Sequence, residues 1–266
     1  VEGELSWVTS KSGNRIAVRT AGTNGPPVVL LHGWAQTGRC WPQELAMGCR
    51  CLAVDLRGHG DSEDAGEYAD SAAWAADLAA VLDTLDEPAV LVGWSYGGLA
   101  ITDYIRHFGT SGVRGLLLTG AITEIGKDRP GGRIGAVMRE AIPDALSTDP
   151  ATAVPALARF VEGLTVRPVR GALHQALLGA ALNVDPHVRA ALFARTVDSR
   201  EVLAGIDVPA VLVHGAQDAV VAPSTTEYAA SLIPGAQTHI WPDVGHLPFL
   251  ERAQEFHTIL ARLLAL

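Results

Sequence analysis

Five short apolar runs recur along this chain: Val28-Val29-Leu30-Leu31, Cys51-Leu52-Ala53-Val54, Ala89-Val90-Leu91-Val92, Leu116-Leu117-Leu118 and Ala210-Val211-Leu212-Val213. They are continuous and do not alternate with polar residues, which is the signature of strands buried on both faces. Helical patterns lie between them. From Ser71 to Leu85, the residues Ala73, Trp74, Leu78, Val81, Leu82 and Leu85 share one face at three- and four-residue spacing. Ser224 to Leu232 and Ala253 to Leu264 read similarly, and Thr238 to Trp241 adds a late strand. Strand and helix in alternation predict an α/β fold, a mostly parallel sheet with helices on both faces. At the start, Leu5 to Thr9 and Arg15 to Thr20 predict a hairpin around Lys11-Ser12-Gly13-Asn14.

The rhythm breaks over residues 123–200. No β-branched run occurs there; helical pieces follow one another with Pro and Gly punctuation, from Arg133 to Ala141, Ala151 to Leu164, Gly171 to Leu182 and Pro186 to Arg195. The stretch is too long for a loop and predicts a helical insertion acting as a lid. The expected division is a core of residues 1–122 and 201–266 carrying a cap of residues 123–200.

The third apolar run leads directly into Gly93-Trp94-Ser95-Tyr96-Gly97, and a helical segment, Gly98 to Ile105, follows. A serine is a poor nucleophile until it is held exposed beside a base, and a sharp strand-to-helix turn does this. Glycines two positions either side are needed because a larger side chain would collide in so tight a turn. A base and an orienting acid are available later in the chain. Asp218 stands just after the apolar run ending in Val213, and His246 lies between the late strand and the last helix. In a parallel sheet the loops after successive strands open at one edge, so Ser95, Asp218 and His246 would meet there.

The sequence resembles the α/β-hydrolase family over essentially its whole length. The matching pieces are His32-Gly33-Trp34, Asp55-Leu56-Arg57-Gly58-His59-Gly60-Asp61-Ser62, Gly93 to Gly97, His214-Gly215-Ala216-Gln217-Asp218 and Gly245-His246. The order Ser95, Asp218, His246 is the family's order. Within the family the chain is similar to carboxylesterases, including pimeloyl-acyl-carrier-protein methyl ester esterases, and to the cofactor-free haloperoxidase and perhydrolase branch. The resemblance implies Ser95 as nucleophile, His246 as base, Asp218 as orienting acid, and the backbone N–H groups of Trp34 and Tyr96 as oxyanion donors. Trp34, Trp94 and Tyr96 flank the expected substrate pocket. Glu124 marks where some members of the family place the acid, and Asp218 is preferred to it. His32, His59 and His214 sit at turns and are read as satisfying local hydrogen bonds. The other histidines have no catalytic context.

The reaction expected is hydrolysis of a carboxylic ester, thioester or lactone through an acyl-enzyme. A perhydrolase, haloperoxidase or carbon–carbon bond hydrolase would use the same triad, and a ligand-binding receptor retaining the fold and triad is the reading from another class. A serine at the elbow speaks against dehalogenase and epoxide hydrolase chemistry, which needs a carboxylate there. Leu146, Leu157, Phe160, Leu173, Leu177 and Phe193 predict an apolar roof, hence an apolar acyl group.

Composition sets the remaining bounds. The chain has 266 residues, is 48% hydrophobic and has a formal net charge of −9, which describes a globular protein and argues against nucleic acid or anionic membrane as partner. No apolar run approaches a membrane span, and Val1-Glu2-Gly3-Glu4 does not open like a signal peptide. A leader removed ahead of Val1 stays open. Cys40, Cys49 and Cys51 form no disulfide framework and are read as packing residues, not metal ligands, with a reduced, cytoplasmic setting expected. The mechanism calls for no metal and no cofactor.

Overall fold

A computed structural model describes residue 1 and residues 3–266. In chain order the first half holds β1 (Glu4–Thr9), β2 (Arg15–Ala21), β3 (Pro27–Leu31), β4 (Arg50–Val54), α1 (Ser71–Leu82), β5 (Ala89–Trp94), α2 (Tyr96–Phe108) and β6 (Val113–Thr119). Then come α3 (Ala136–Ala145), α4 (Pro150–Glu162), α5 (Gly171–Asn183), α6 (Pro186–Phe193) and α7 (Arg200–Ala204). The chain closes with β7 (Ala210–Gly215), α8 (Ser224–Leu232), β8 (Gln237–Trp241), α9 (Pro248–Glu251) and α10 (Ala253–Leu264).

The strands form one sheet in the order β1-β2-β4-β3-β5-β6-β7-β8. The first hairpin is antiparallel, with Thr9 opposite Arg15, and β2 runs antiparallel to β4. Every later pairing is parallel. The runs read as doubly buried strands are so: β3, β5 and β7 are buried at every position. β8, at the sheet's edge, has no fully buried position. That edge position explains why its sequence lacks a continuous apolar run.

Chain order departs from sheet order between β3 and β4, so β3 and β5 neighbour each other although β4 lies between them in sequence. The carboxyl ends of the parallel strands then open along one edge, beside which ligands bind in folds of this kind. β5 occupies the middle of the sheet, so whatever follows it is surrounded on all sides. Ser95 follows it directly.

The stretch between β6 and β7 contains only helices and turns. An isolated backbone bridge between Ile125 and Val197 closes its base. The third of these helices runs close to its expected span, and the first differs: the sequence predicts an end at Ala141, before Pro143, whereas α3 continues through Pro143 to Ala145. Pro143 has no N–H to give the Arg139 carbonyl, so the last turn needs support from outside the helix. Ala145 is fully buried, and its carbonyl accepts from Arg189 Nε at 2.9 Å, which holds the last turn in place. Cys49 and Cys51 lie side by side at the start of β4, buried, with their sulfurs 3.5 Å apart. No helix among the described residues is long and apolar enough to cross a membrane.

Candidate active site

Ser95 sits between β5 and α2 with φ 53° and ψ −119°, a positive φ that a side-chain-bearing residue rarely adopts. The flanking glycines are there for space. A Cβ on Gly97 would stand 2.2 Å from the carbonyl oxygen of Leu31, and one on Gly93 2.7 Å from Ile101 Cδ1. The elbow is further fixed through its backbone, since Ser95 N–H donates to the Thr119 carbonyl at 3.2 Å and its carbonyl accepts from Ile122 N–H at 3.1 Å. Tyr96 begins α2, so its N–H is among the first-turn donors that no helical carbonyl can satisfy.

The turn His32-Gly33-Trp34 closes over the same serine. A Cβ on Gly33 would meet Ser95 Cβ at 2.9 Å, so the backbone before Trp34 lies against the nucleophile. His32 is the brace of this turn. Its Nδ1 bonds the Gly33 carbonyl at 2.8 Å and its Nε2 accepts the Leu56 N–H at 3.0 Å. Both partners are satisfied only with the proton on Nδ1. Burial lowers the His32 pKa to about 4, against the pull of Asp55, so the imidazole is neutral near pH 7.

His246 and Asp218 meet as a pair: Nδ1 of the imidazole lies 2.7 Å from Oδ2 of the carboxylate, and both side chains are buried. A carboxylate can only accept, so Nδ1 carries the proton and Nε2 keeps its lone pair. The Asp218 Oδ1 accepts the N–H groups of Val220 and Val221 at 2.8 and 2.9 Å. Burial alone would raise the Asp218 carboxyl, but His246, together with hydrogen bonds from His214 and His246, outweighs it and holds the group far below the usual carboxylate range.

The link between this pair and Ser95 runs through Trp94. Its indole Nε1–H donates to the His246 carbonyl at 2.8 Å, and its ring lies 5.3 Å from the imidazole. Trp94 is enclosed by Trp41, Phe249 and His246. The sequence reading put Trp94 and Tyr96 beside a substrate pocket; in the structure both side chains are buried among aromatic and charged neighbours. Trp94 is packed behind His246. The Tyr96 phenol is buried on Trp74 and takes a hydrogen bond from Arg195 Nη1 at 3.0 Å. Trp34 packs edge-on to Phe160 of α4 and Phe193 of α6 at 5.1 and 5.4 Å, and the Tyr96 hydroxyl also reaches α6, donating to the Leu192 carbonyl at 3.4 Å.

Glu124, the alternative acid, is fully engaged away from His246. Its carboxylate accepts from Gly131 N–H at 3.0 Å, from Tyr228 Oη–H at 3.1 Å and from Ser199 N–H at 3.3 Å. It ties together the base of the helical excursion. His59 is buried and bonds the Arg57 carbonyl at 2.9 Å.

Several groups at the site carried no individual signal in the sequence. His214, read as a turn residue, places its Nε2 3.1 Å from Asp218 Oδ2. The hint available was its position four residues before the aspartate at a strand end. Glu251 holds the His246 loop by accepting from Gly245 N–H and Val166 N–H, both at 2.9 Å. His246 N–H itself donates to the Leu164 carbonyl at 2.8 Å, so the helical excursion and the His246 loop are stitched together. Arg195, wholly buried, joins Tyr96 to Asp103, its Nη2 2.6 Å from Asp103 Oδ2. Among the described residues no three His, Cys, Asp or Glu side chains are grouped to hold a metal ion.

Comparison with known proteins fits this arrangement. An esterase from Rhodococcus sp. ECU1013 superposes with a TM-score of 0.94 at 44% identity, covering 98% of each chain. A pimeloyl-[acyl-carrier protein] methyl ester esterase of Aromatoleum aromaticum is 30% identical over 87% of this chain and 95% of its own length. A non-heme haloperoxidase of Rhodococcus erythropolis is 26% identical over 91% of this chain and 93% of its own. Residues 28–259 match the sequence pattern of the Alpha/beta hydrolase family, and the chain belongs to that family.

Proposed function

We propose that this protein is a serine esterase that cleaves a carboxylic ester with an apolar acyl group through an acyl-enzyme. The observation that carries the reading is the Asp218–His246 pair anchored by Trp94 to the turn that presents Ser95. Ser95 Oγ attacks the ester carbonyl while His246 Nε2 takes the hydroxyl proton. The carbonyl oxygen becomes an oxyanion, received by the backbone N–H groups of Trp34 and Tyr96. Collapse breaks the carbon–oxygen bond to the alcohol, and the His246 proton goes to the departing alkoxide. Water, deprotonated by the same imidazole, then attacks the acyl-Ser95 carbonyl; collapse breaks the bond to Ser95 Oγ, which takes the proton back from His246, and the acid leaves. Asp218 stabilises the imidazolium at each transfer.

The helices between β6 and β7 act as a cap over this site in the proposed reading. Trp34, Phe160 and Phe193 supply an aromatic wall where the cap meets the oxyanion turn, which suits an alkyl or aryl acyl group. The esterase names of the similar proteins support the same reaction class.

A panel of p-nitrophenyl esters of graded chain length tests the proposal. Wild-type protein hydrolyses them, and the rate falls toward acid pH, as a general base requires. Ser95→Ala loses that activity while keeping the wild-type circular dichroism spectrum. Full hydrolysis by folded Ser95→Ala would refute the assignment.

A further inference from the structure

We propose that His214 is a positioning residue of the catalytic relay: its Nε2–H shares Asp218 Oδ2 with His246 Nδ1, fixing that oxygen and dividing its charge. This rests on the roles given to Ser95, Asp218 and His246 under Proposed function.

The Asp218 carboxylate is gripped at both oxygens. Oδ1 takes two backbone N–H groups; Oδ2 accepts from His246 Nδ1 at 2.7 Å and has His214 Nε2, whose hydrogen bond is to the Val221 carbonyl, 3.1 Å away. His214 is itself immobile. It lies in β7 with its side chain fully buried, its Nδ1 2.7 Å from Thr226 Oγ1 of α8 and its Nε2 also 3.1 Å from the Val221 carbonyl. Both neighbours of Nε2 are acceptors only, so that nitrogen must carry a proton. In the neutral imidazole the Thr226 hydroxyl then donates to Nδ1, and Thr226 selects the tautomer that can serve Asp218.

The charged and titratable groups facing Asp218 are His214 from β7, His246 from the loop before α9, and Glu251 from α9. The Glu251 carboxylate is already occupied by the N–H groups of Gly245 and Val166. His214 is therefore the side chain that competes with His246 for Oδ2. With two donors on one oxygen, each receives less of its negative charge. The imidazolium formed on His246 is held firmly enough to form and loosely enough to give its proton back.

Replacing His214 removes the second donor. Oδ2 then pulls harder on His246, and protonated enzyme persists to higher pH. The freed oxygen also loses a tether, so the imidazole is less well aimed.

The test compares pH profiles of kcat/KM on p-nitrophenyl butyrate for the wild type, His214→Phe and Thr226→Val. In His214→Phe the acid limb moves up by about one pH unit. Its kcat at pH 7 falls about tenfold while KM stays near the wild-type value. Thr226→Val moves the limb in the same direction by less. A folded His214→Phe with the wild-type acid limb and wild-type kcat overturns the proposal. Because that variant removes a buried group, nitrogen-15 histidine spectra of the wild-type protein provide a second arm. They show His214 with a protonated Nε2 between pH 6 and 8, and an unprotonated Nε2 overturns the proposal. Ser95→Ala separates the two readings. If it stays active, the site assignment fails; if it is inert while the His214→Phe profile is unmoved, only the role of His214 fails.

Discussion

Trp94 donates its indole N–H to the His246 carbonyl at 2.8 Å across 152 positions of sequence. The side chain immediately before the proposed nucleophile thus holds the loop that carries the proposed base. Trp94 is in turn packed in a buried aromatic cluster with Trp41 and Phe249, so the His246 loop is held by more than its own backbone.

Trp94→Phe keeps the aromatic wall and deletes the donor. Leaving the His246 carbonyl without that partner costs about 1–3 kcal/mol of stability. The loss also lowers kcat more than it raises KM, because the imidazole is less well placed while the helices between β6 and β7 are untouched. Urea unfolding and Michaelis curves check the two effects, and an unchanged kcat would reduce Trp94 to a packing residue.

The backbone at Ser95 stores strain, and glycine is the residue that releases it. With φ at 53° and ψ at −119°, both Ser and Ala bear a Cβ penalty of about 1–3 kcal/mol that Gly avoids. Ser95→Gly is therefore inactive yet more stable than Ser95→Ala, by about 1 kcal/mol. Thermal or urea unfolding of the two variants side by side gives the comparison. Equal stability would mean that the elbow is not strained at this residue.

Buried neutral histidines make the fold acid-sensitive. Burial lowers His32 from 6.5 to about 4, and burial together with the charge of His32 lowers His59 from 6.5 to about 3. Below pH 6.5 the unfolded chain takes up protons that the folded chain refuses. Stability is thus full above pH 6.5 and falls as pH drops toward about 4 for His32 and about 3 for His59. Each histidine removes about 1.4 kcal/mol per pH unit inside its window. Asp218, depressed by its two histidines, adds a further loss once pH falls below the usual carboxylate range. Urea midpoints from pH 7 to pH 4 should decline steadily, and a flat series would contradict neutral burial of these rings.

What the sequence made legible follows a physical division. Continuous apolar runs identify doubly buried strands because burial on both faces leaves no room for polar alternation, and β3, β5 and β7 show it. The elbow was readable because its glycines answer to local sterics, as at Gly97 against Leu31. Side-chain direction was not readable. Trp94 flanks Ser95 in sequence but turns toward Phe249 and His246, and Tyr96 turns toward Trp74 and Arg195. His214 shows the same limit. A buried imidazole satisfying a turn and one gripping a carboxylate look identical in sequence. The difference lies in how the turn after β7 brings Asp218 back over it. The ties between the helical excursion and the His246 loop, through Glu251 and Leu164, join residues more than 80 positions apart and leave no periodic trace.

Reaction with a fluorophosphonate probe, followed by peptide mass mapping, tests the central claim most directly, because covalent capture requires both an activated serine and a working base. A single adduct is expected, located on Ser95, absent from Ser95→Ala and strongly slowed in His246→Ala. An adduct on any other residue, or equal labelling of Ser95→Ala, would contradict it.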